Sequence, residues 1–131
     1  MINFKISEFI YSNVANKNGI NNMPDLNSLD NILNLIIYCL QPLRNKIKKP
    51  IIITSGYRCI KLNNILGGKK NSQHLIGCAA DFVVFDLKPS QIIEIIKNTS
   101  IEFDQIINEY DKWVHISFVK NKNRKQILYI K

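Results

Sequence analysis

The chain contains only two histidines, His74 and His115, and each stands where a side chain can be presented to a ligand. His74 lies in a polar segment with glycines on either side, and His115 lies in Trp113-Val114-His115-Ile116-Ser117. If that run is a strand, Val114, Ile116 and Phe118 share one face while Trp113, His115 and Ser117 share the other. The even face is predicted to be core and the odd face a site. Asp81 opens the apolar run Asp81-Phe82-Val83-Val84-Phe85, where an ionised carboxylate is costly unless a cation or hydrogen-bond donors compensate it. Two imidazoles and one carboxylate make a three-ligand set for zinc that leaves a fourth position for water, an arrangement suited to hydrolysis. Residue types alone also fit a plainer alternative, in which the histidines are satisfied polar side chains and Asp81 is a turn residue.

Several elements must position these groups. Ser7 opens a predicted helix over residues 7 to 16, and Asn18-Gly19 through Pro24 reads as a loop. From Leu29, the apolar residues Ile32, Leu33, Ile36, Ile37, Leu40 and Leu43 recur at three- and four-residue steps, which predicts a scaffold helix lying on a core. Pro50 introduces the β-branched run Ile51 to Thr54, a buried strand followed by a turn at Ser55-Gly56. A short helix from Tyr57 to Leu66 ends at Gly67-Gly68, and a polar loop then delivers His74. The strand from Asp81 is followed by a helix opened by Pro89. Strand-like runs at Phe103 to Glu109, Trp113 to Val119 and Lys125 to Ile130 complete an α+β fold with an antiparallel sheet and flanking helices.

Composition bounds the partners. The 131 residues are 46% hydrophobic and 21% charged, enough for one folded domain over residues 1–131 and too apolar for disorder. The longest apolar stretch, Leu35 to Leu40, is six residues, against roughly 20 for a membrane span, so no membrane insertion is expected. The N-terminus does not read as a secretory signal. Three cysteines without paired-ligand spacing read as free thiols. The net charge of +8 favours an anionic partner. No helix-turn-helix, zinc-finger or aromatic RNA-binding motif supports nucleic acid as that partner. Gly67-Gly68-Lys69-Lys70 is no phosphate loop, since Asn63 and Lys70 stand where Gly and Ser or Thr are needed. Lys120, Lys122, Arg124 and Lys125 read as a solvated basic turn.

Ser72-Gln73-His74-Leu75-Ile76-Gly77-Cys78-Ala79-Ala80-Asp81 resembles the Ser-x-His-x-x-Gly-x-Ala-x-Asp signature of the zinc D-Ala-D-Ala carboxypeptidase and L-alanyl-D-glutamate endopeptidase family. The resemblance extends, in the family's order, to Ser55-Gly56-Tyr57-Arg58, to Leu62-Asn63 with Gly67-Gly68, and to Trp113 through Ser117. It implies a Hedgehog/DD-peptidase-like fold, one Zn2+ held by His74, Asp81 and His115, and Arg58 and Ser72 meeting substrate oxygens. It also implies bacterial peptidoglycan as the substrate, cleaved at stem peptides or cross-links by carboxypeptidase or endopeptidase action. Trp113 is placed to line the groove, though an aromatic on a half-exposed strand is about as often packing.

Several relatives carry an acid three residues before the last zinc histidine, and here that position is Lys112. The nearby acids are Glu109 and Asp111. With a turn at Tyr110 to Lys112, Glu109 pairs across from Trp113 and shares the face of His115, which makes it the expected general base; Asp111, at the hairpin tip, is the second candidate. The compact, phage-type likeness implies a monomeric lysis enzyme made in the cytoplasm and acting on the wall after release, or carried in a virion. A catalytically inactive wall-binding or virion structural module of the same fold is the alternative that Lys112 keeps open.

Overall fold

The computed structural model describes residues 1–131. The predicted apolar stripe forms one helical rod in three parts: α3 (Leu26–Leu35), a π-helical segment (Ile36–Leu40) and α4 (Gln41–Ile47). Asp25 caps its start by accepting a hydrogen bond from Ser28 N at 2.8 Å. The wide turn immediately precedes Pro42, whose ring would press on the Tyr38 carbonyl in regular α register. Bonding from Gln41 N–H back to the Ile36 carbonyl widens the helix there and relieves the clash. Ile32, Leu35, Ile36, Cys39, Leu40 and Leu43 of the rod are all buried.

The predicted N-terminal helix is broken in two, α1 (Ile6–Ile10) and α2 (Asn13–Lys17). Ser12 causes the restart, because its side chain accepts from Ala15 N at 3.1 Å and caps α2. The helix expected from Tyr57 begins later, as α5 (Ile60–Ile65), and α6 (Pro89–Lys97) follows the Pro89 signal.

Five strands form one sheet: β1 (Ile52–Ser55), β2 (Ala79–Val83), β3 (Gln105–Glu109), β4 (Trp113–Ser117) and β5 (Gln126–Ile130), in the order β1-β2-β4-β3-β5. Three of the four pairings are antiparallel, but β5 runs parallel to β3 at the edge. The expected antiparallel sheet is therefore mixed at this one position. The segment after β4 passes the start of β3 and enters on its far side, which sets the parallel direction. Asp81 is the third residue of β2 and not its first, because Ala79 and Ala80 already pair with Ser117 and Ile116.

The alternation predicted for β4 holds for its core face: Val114 and Ile116 are fully buried and join Phe82 of β2, Ile106 of β3, and Ile92, Ile93 and Ile96 of α6 in one core with the helical rod. On the opposite face Trp113 and His115 are half-buried, while Ser117 is fully buried and its hydroxyl accepts from Gln105 N. This second face of the sheet carries the site.

Candidate functional site

Register brings the site together. Asp81 on β2 and Ile107 on β3 are both directly opposite His115 on β4, and Glu109 is opposite Trp113. Cross-strand partners point to the same face, so Asp81, His115, Trp113 and Glu109 look into a common cleft of about 600 Å³, which His74, Arg58 and Ser72 also line. On the far side of β2, the register slips between Ile53 and Ser55, so that Ser55 comes opposite Asp81. This bulge at Thr54 turns Ser55 toward the site face.

His74 is delivered by a single 3-10 turn, Gln73–Ile76, capped by Ser72, whose hydroxyl accepts from His74 N at 3.2 Å. The turn ends at Gly77, whose φ of 78° and close approach to the Ser28 carbonyl both call for glycine. The His74 ring is buried, and its Nδ1–H donates to the Gly56 carbonyl at 2.7 Å. That bond fixes the tautomer and leaves Nε2 free to act as a ligand. Gly56 in turn packs on the backbone of Phe9, where a Cβ would overlap the Phe9 carbonyl, and Tyr57 N–H donates to that carbonyl at 2.7 Å.

Asp81 Oδ1 lies 3.0 Å from His115 Nδ1 and 3.4 Å from His74 Nε2. The three ligand atoms all fall within 4.8 Å of one another. Burial works to raise the Asp81 carboxyl, but hydrogen bonds and charge from His115 and His74 outweigh it and hold the group well below the usual carboxylate range. A buried, ionised carboxylate between two imidazoles fits a cation of zinc's nitrogen and oxygen preference. Cys78, between the two ligand segments, does not join them: burial pushes its thiol up to about 11, and it lies outside the cluster.

Arg58 is held beside the cluster. Its Nε donates to Ser55 Oγ at 3.2 Å, its Nη1 to Asn63 Oδ1 at 3.4 Å, and its Nη2 lies 3.6 Å from Asp81 Oδ2. Asn63, 1% exposed, is fixed by donating to the Lys69 carbonyl, and a Cβ on Gly68 would strike its carboxamide. The Leu62-Asn63 and Gly67-Gly68 pieces of the sequence pattern thus position the arginine, a role that residue types alone did not reveal.

Glu109 lines the cleft, and burial, followed by the charge of Asp81, raises its carboxyl above the ordinary value. Asp111 does not line it. With φ of 53°, Asp111 sits exposed at the hairpin tip, its N–H donating to Asn108 Oδ1. Trp113 lines the cleft, packs against Tyr110 at 5.8 Å between ring centroids, and buries its indole N–H without a partner. Ser72 lines the cleft while its hydroxyl caps the His74 turn.

The cleft also contains residues not expected there from the sequence: Gln73, Lys69, Ile107, Ile130 and Arg124. Arg124 is no free member of a solvated basic turn, for it is paired with buried Asp104 at 2.7 Å. A following basic residue after an acid at the head of β3 was the available signal, but a separation of 20 positions hid it.

A family model described as Peptidase M15 matches residues 2–117. No curated protein matches the chain.

Proposed function

We propose a function from one premise: the chain belongs to the peptidase M15 family. Membership supports, at the level of the family, a zinc-dependent peptidase that acts on peptidoglycan; the finer reading is that it hydrolyses peptide bonds in wall stem peptides or cross-links, as a phage-type lysis enzyme. His74 through Nε2, His115 through Nδ1 and Asp81 would hold the zinc. The observation that carries the reading is the convergence of these three ligand atoms within 4.8 Å, beside a half-buried carboxylate, Glu109, on the same face.

Bound there, zinc supplies Lewis-acid polarisation of a carbonyl and lowers the pKa of a water to about 7. Every other part belongs to the chain. Arg58, fixed by Ser55 and Asn63, directs its guanidinium at the developing charge on the carbonyl oxygen. Glu109 takes the proton from the attacking water and returns it to the leaving amine. The cross-strand position of Glu109 meets the need that Lys112 cannot, which favours an active enzyme over a binding module.

The test is digestion of purified peptidoglycans of different stem and cross-link types by zinc-loaded protein, with and without a chelator, and mass spectrometry of the released peptides. New chelator-sensitive peptide ends support the peptidase and name the bond. Zinc-loaded protein that binds walls and releases nothing supports the structural module instead.

A further inference from the structure

The family match ends at residue 117, yet the chain beyond it completes one wall of the cleft. Arg124, two residues before β5, lines the cleft with its side chain 57% exposed. Its Nε donates to Asp104 Oδ1 at 2.9 Å and its Nη2 to Asp104 Oδ2 at 2.7 Å. Asp104 is 2% exposed, and it also accepts from Arg124 N at 3.0 Å and from Gln73 Nε2 at 2.8 Å. The arginine is therefore held by a fork-to-fork pair on a buried, multiply bonded base. Its Nη1 and the outer hydrogen of Nη2 are left over.

An exposed arginine ordinarily loses rotamer freedom when it binds a ligand, which offsets much of the gain. Here the fold has already fixed the side chain. The planar outer edge of a fixed guanidinium matches a carboxylate. The charge of the cleft agrees: Arg58, Lys69 and Arg124 are balanced by Asp81, Glu109 and the Asp104 that holds Arg124, so a bound zinc would leave the cleft net positive. Arg58 follows β1 and Arg124 precedes β5, the two outermost strands. A peptide lying across the sheet thus meets Arg58 at the reacting carbonyl and Arg124 on the opposite flank.

We infer that Arg124, buttressed by Asp104, is a specificity-determining residue that recognises a free carboxylate on the peptide substrate away from the bond cleaved. The inference rests on the peptidase reading above. It is tested with matched pairs of stem peptides carrying either a free carboxylate or a carboxamide at each acidic position, using zinc-loaded wild type, Arg124→Ala and Arg124→Gln. The wild type should favour one acid form over its amide by about ten- to a hundredfold in kcat/KM, the scale of a charge-assisted hydrogen bond. Both variants should collapse that ratio, chiefly through KM. The ratio does not depend on how much of a variant is folded. An unchanged ratio, or equal losses on acid and amide, overturns the inference. Calorimetric binding of the same peptide pairs reads the preference without cleavage. A wild type that binds the acid form selectively but cleaves nothing therefore sinks the peptidase reading and keeps Arg124, whereas equal binding of both forms sinks Arg124.

Discussion

His115 Nδ1 and Asp81 Oδ1 lie 3.0 Å apart across directly opposed positions of β4 and β2. The contact depends on strand register and not on a loop, and register is enforced by the core residues Val114, Ile116 and Phe82 on the other face. A one-residue slip of either strand would turn its residue of the pair into the core. The sheet therefore supplies two of the three proposed ligands as a preset pair, and the turn at His74 adds the third.

Replacing His74 or His115 by Ala removes a ligand that neither neighbour can substitute. Zinc affinity, measured by competition with a chromogenic chelator, should fall by more than the about 10–100-fold typical of an outer-shell change. Cleavage should be lost with it. Retention of wild-type affinity by either variant would remove the metal assignment.

Glu109→Gln keeps the shape of the side chain and removes its basicity. Turnover should fall by about 10²–10⁴-fold with zinc affinity unchanged. Since the base must be ionised, the rate of the wild type should rise with pH through the Glu109 pKa, which burial and Asp81 push up. The variant should lack that acidic limb in a pH profile of kcat/KM. The same substitution at Asp111 should leave the profile in place, because Asp111 stands outside the cleft.

Gly56→Ala puts a methyl group against the backbone of Phe9, which cannot step aside like a side chain. A loss of about 1–3 kcal/mol is expected from thermal melts, toward the upper end. Because the Gly56 carbonyl also orients His74, zinc affinity of the folded protein should fall too. A variant that melts lower but binds zinc normally would uncouple the two.

Acid should loosen the wall formed by Arg124. The hydrogen bonds of Arg124, and then of Gln73, hold the Asp104 carboxyl at about 2, below its ordinary 3.8. A depressed pKa contributes stability that is present above the unfolded value and lost as pH falls through the folded one. This contribution should thus be complete above about pH 4 and disappear toward pH 2, and Asp104→Asn should abolish that part of the pH dependence in urea titrations. The exposure of Arg124 makes the effect weaken as salt rises.

The grouping of His74, Asp81 and His115 was legible chiefly through the resemblance of residues 72–81 to a family signature, with strand alternation adding the face of His115. The three-residue turn fixed Glu109 opposite Trp113, as the pairing shows. The parallel direction of β5 was not legible, since the residues of Gln126 to Ile130 specify a strand but neither its neighbour nor its sense. Nor was the Asp104–Arg124 pair, which forms only when the segment after β4 swings past the head of β3. Asn63 hid for a similar reason: its side chain matters through Arg58 and Lys69, contacts that composition does not encode. The break at Ser12 and the wide turn before Pro42 were signalled by residues that favour caps and forbid regular helix, but the apolar periodicity runs through them and masked the interruption.

The supports of the three ligands differ in lifetime. Asp81 and His115 belong to β2 and β4, which have paired neighbours on both sides, so their amides should exchange with solvent deuterium only when the whole sheet opens. His74 rides on a turn of four residues, held by backbone bonds such as Arg58 N–H to its carbonyl at 3.0 Å. Local fraying of that turn moves one ligand while the other two stay in register. The cluster thus has one side on a short turn and one side in the sheet, and amides of residues 73–76 should exchange ahead of those of β2 and β4.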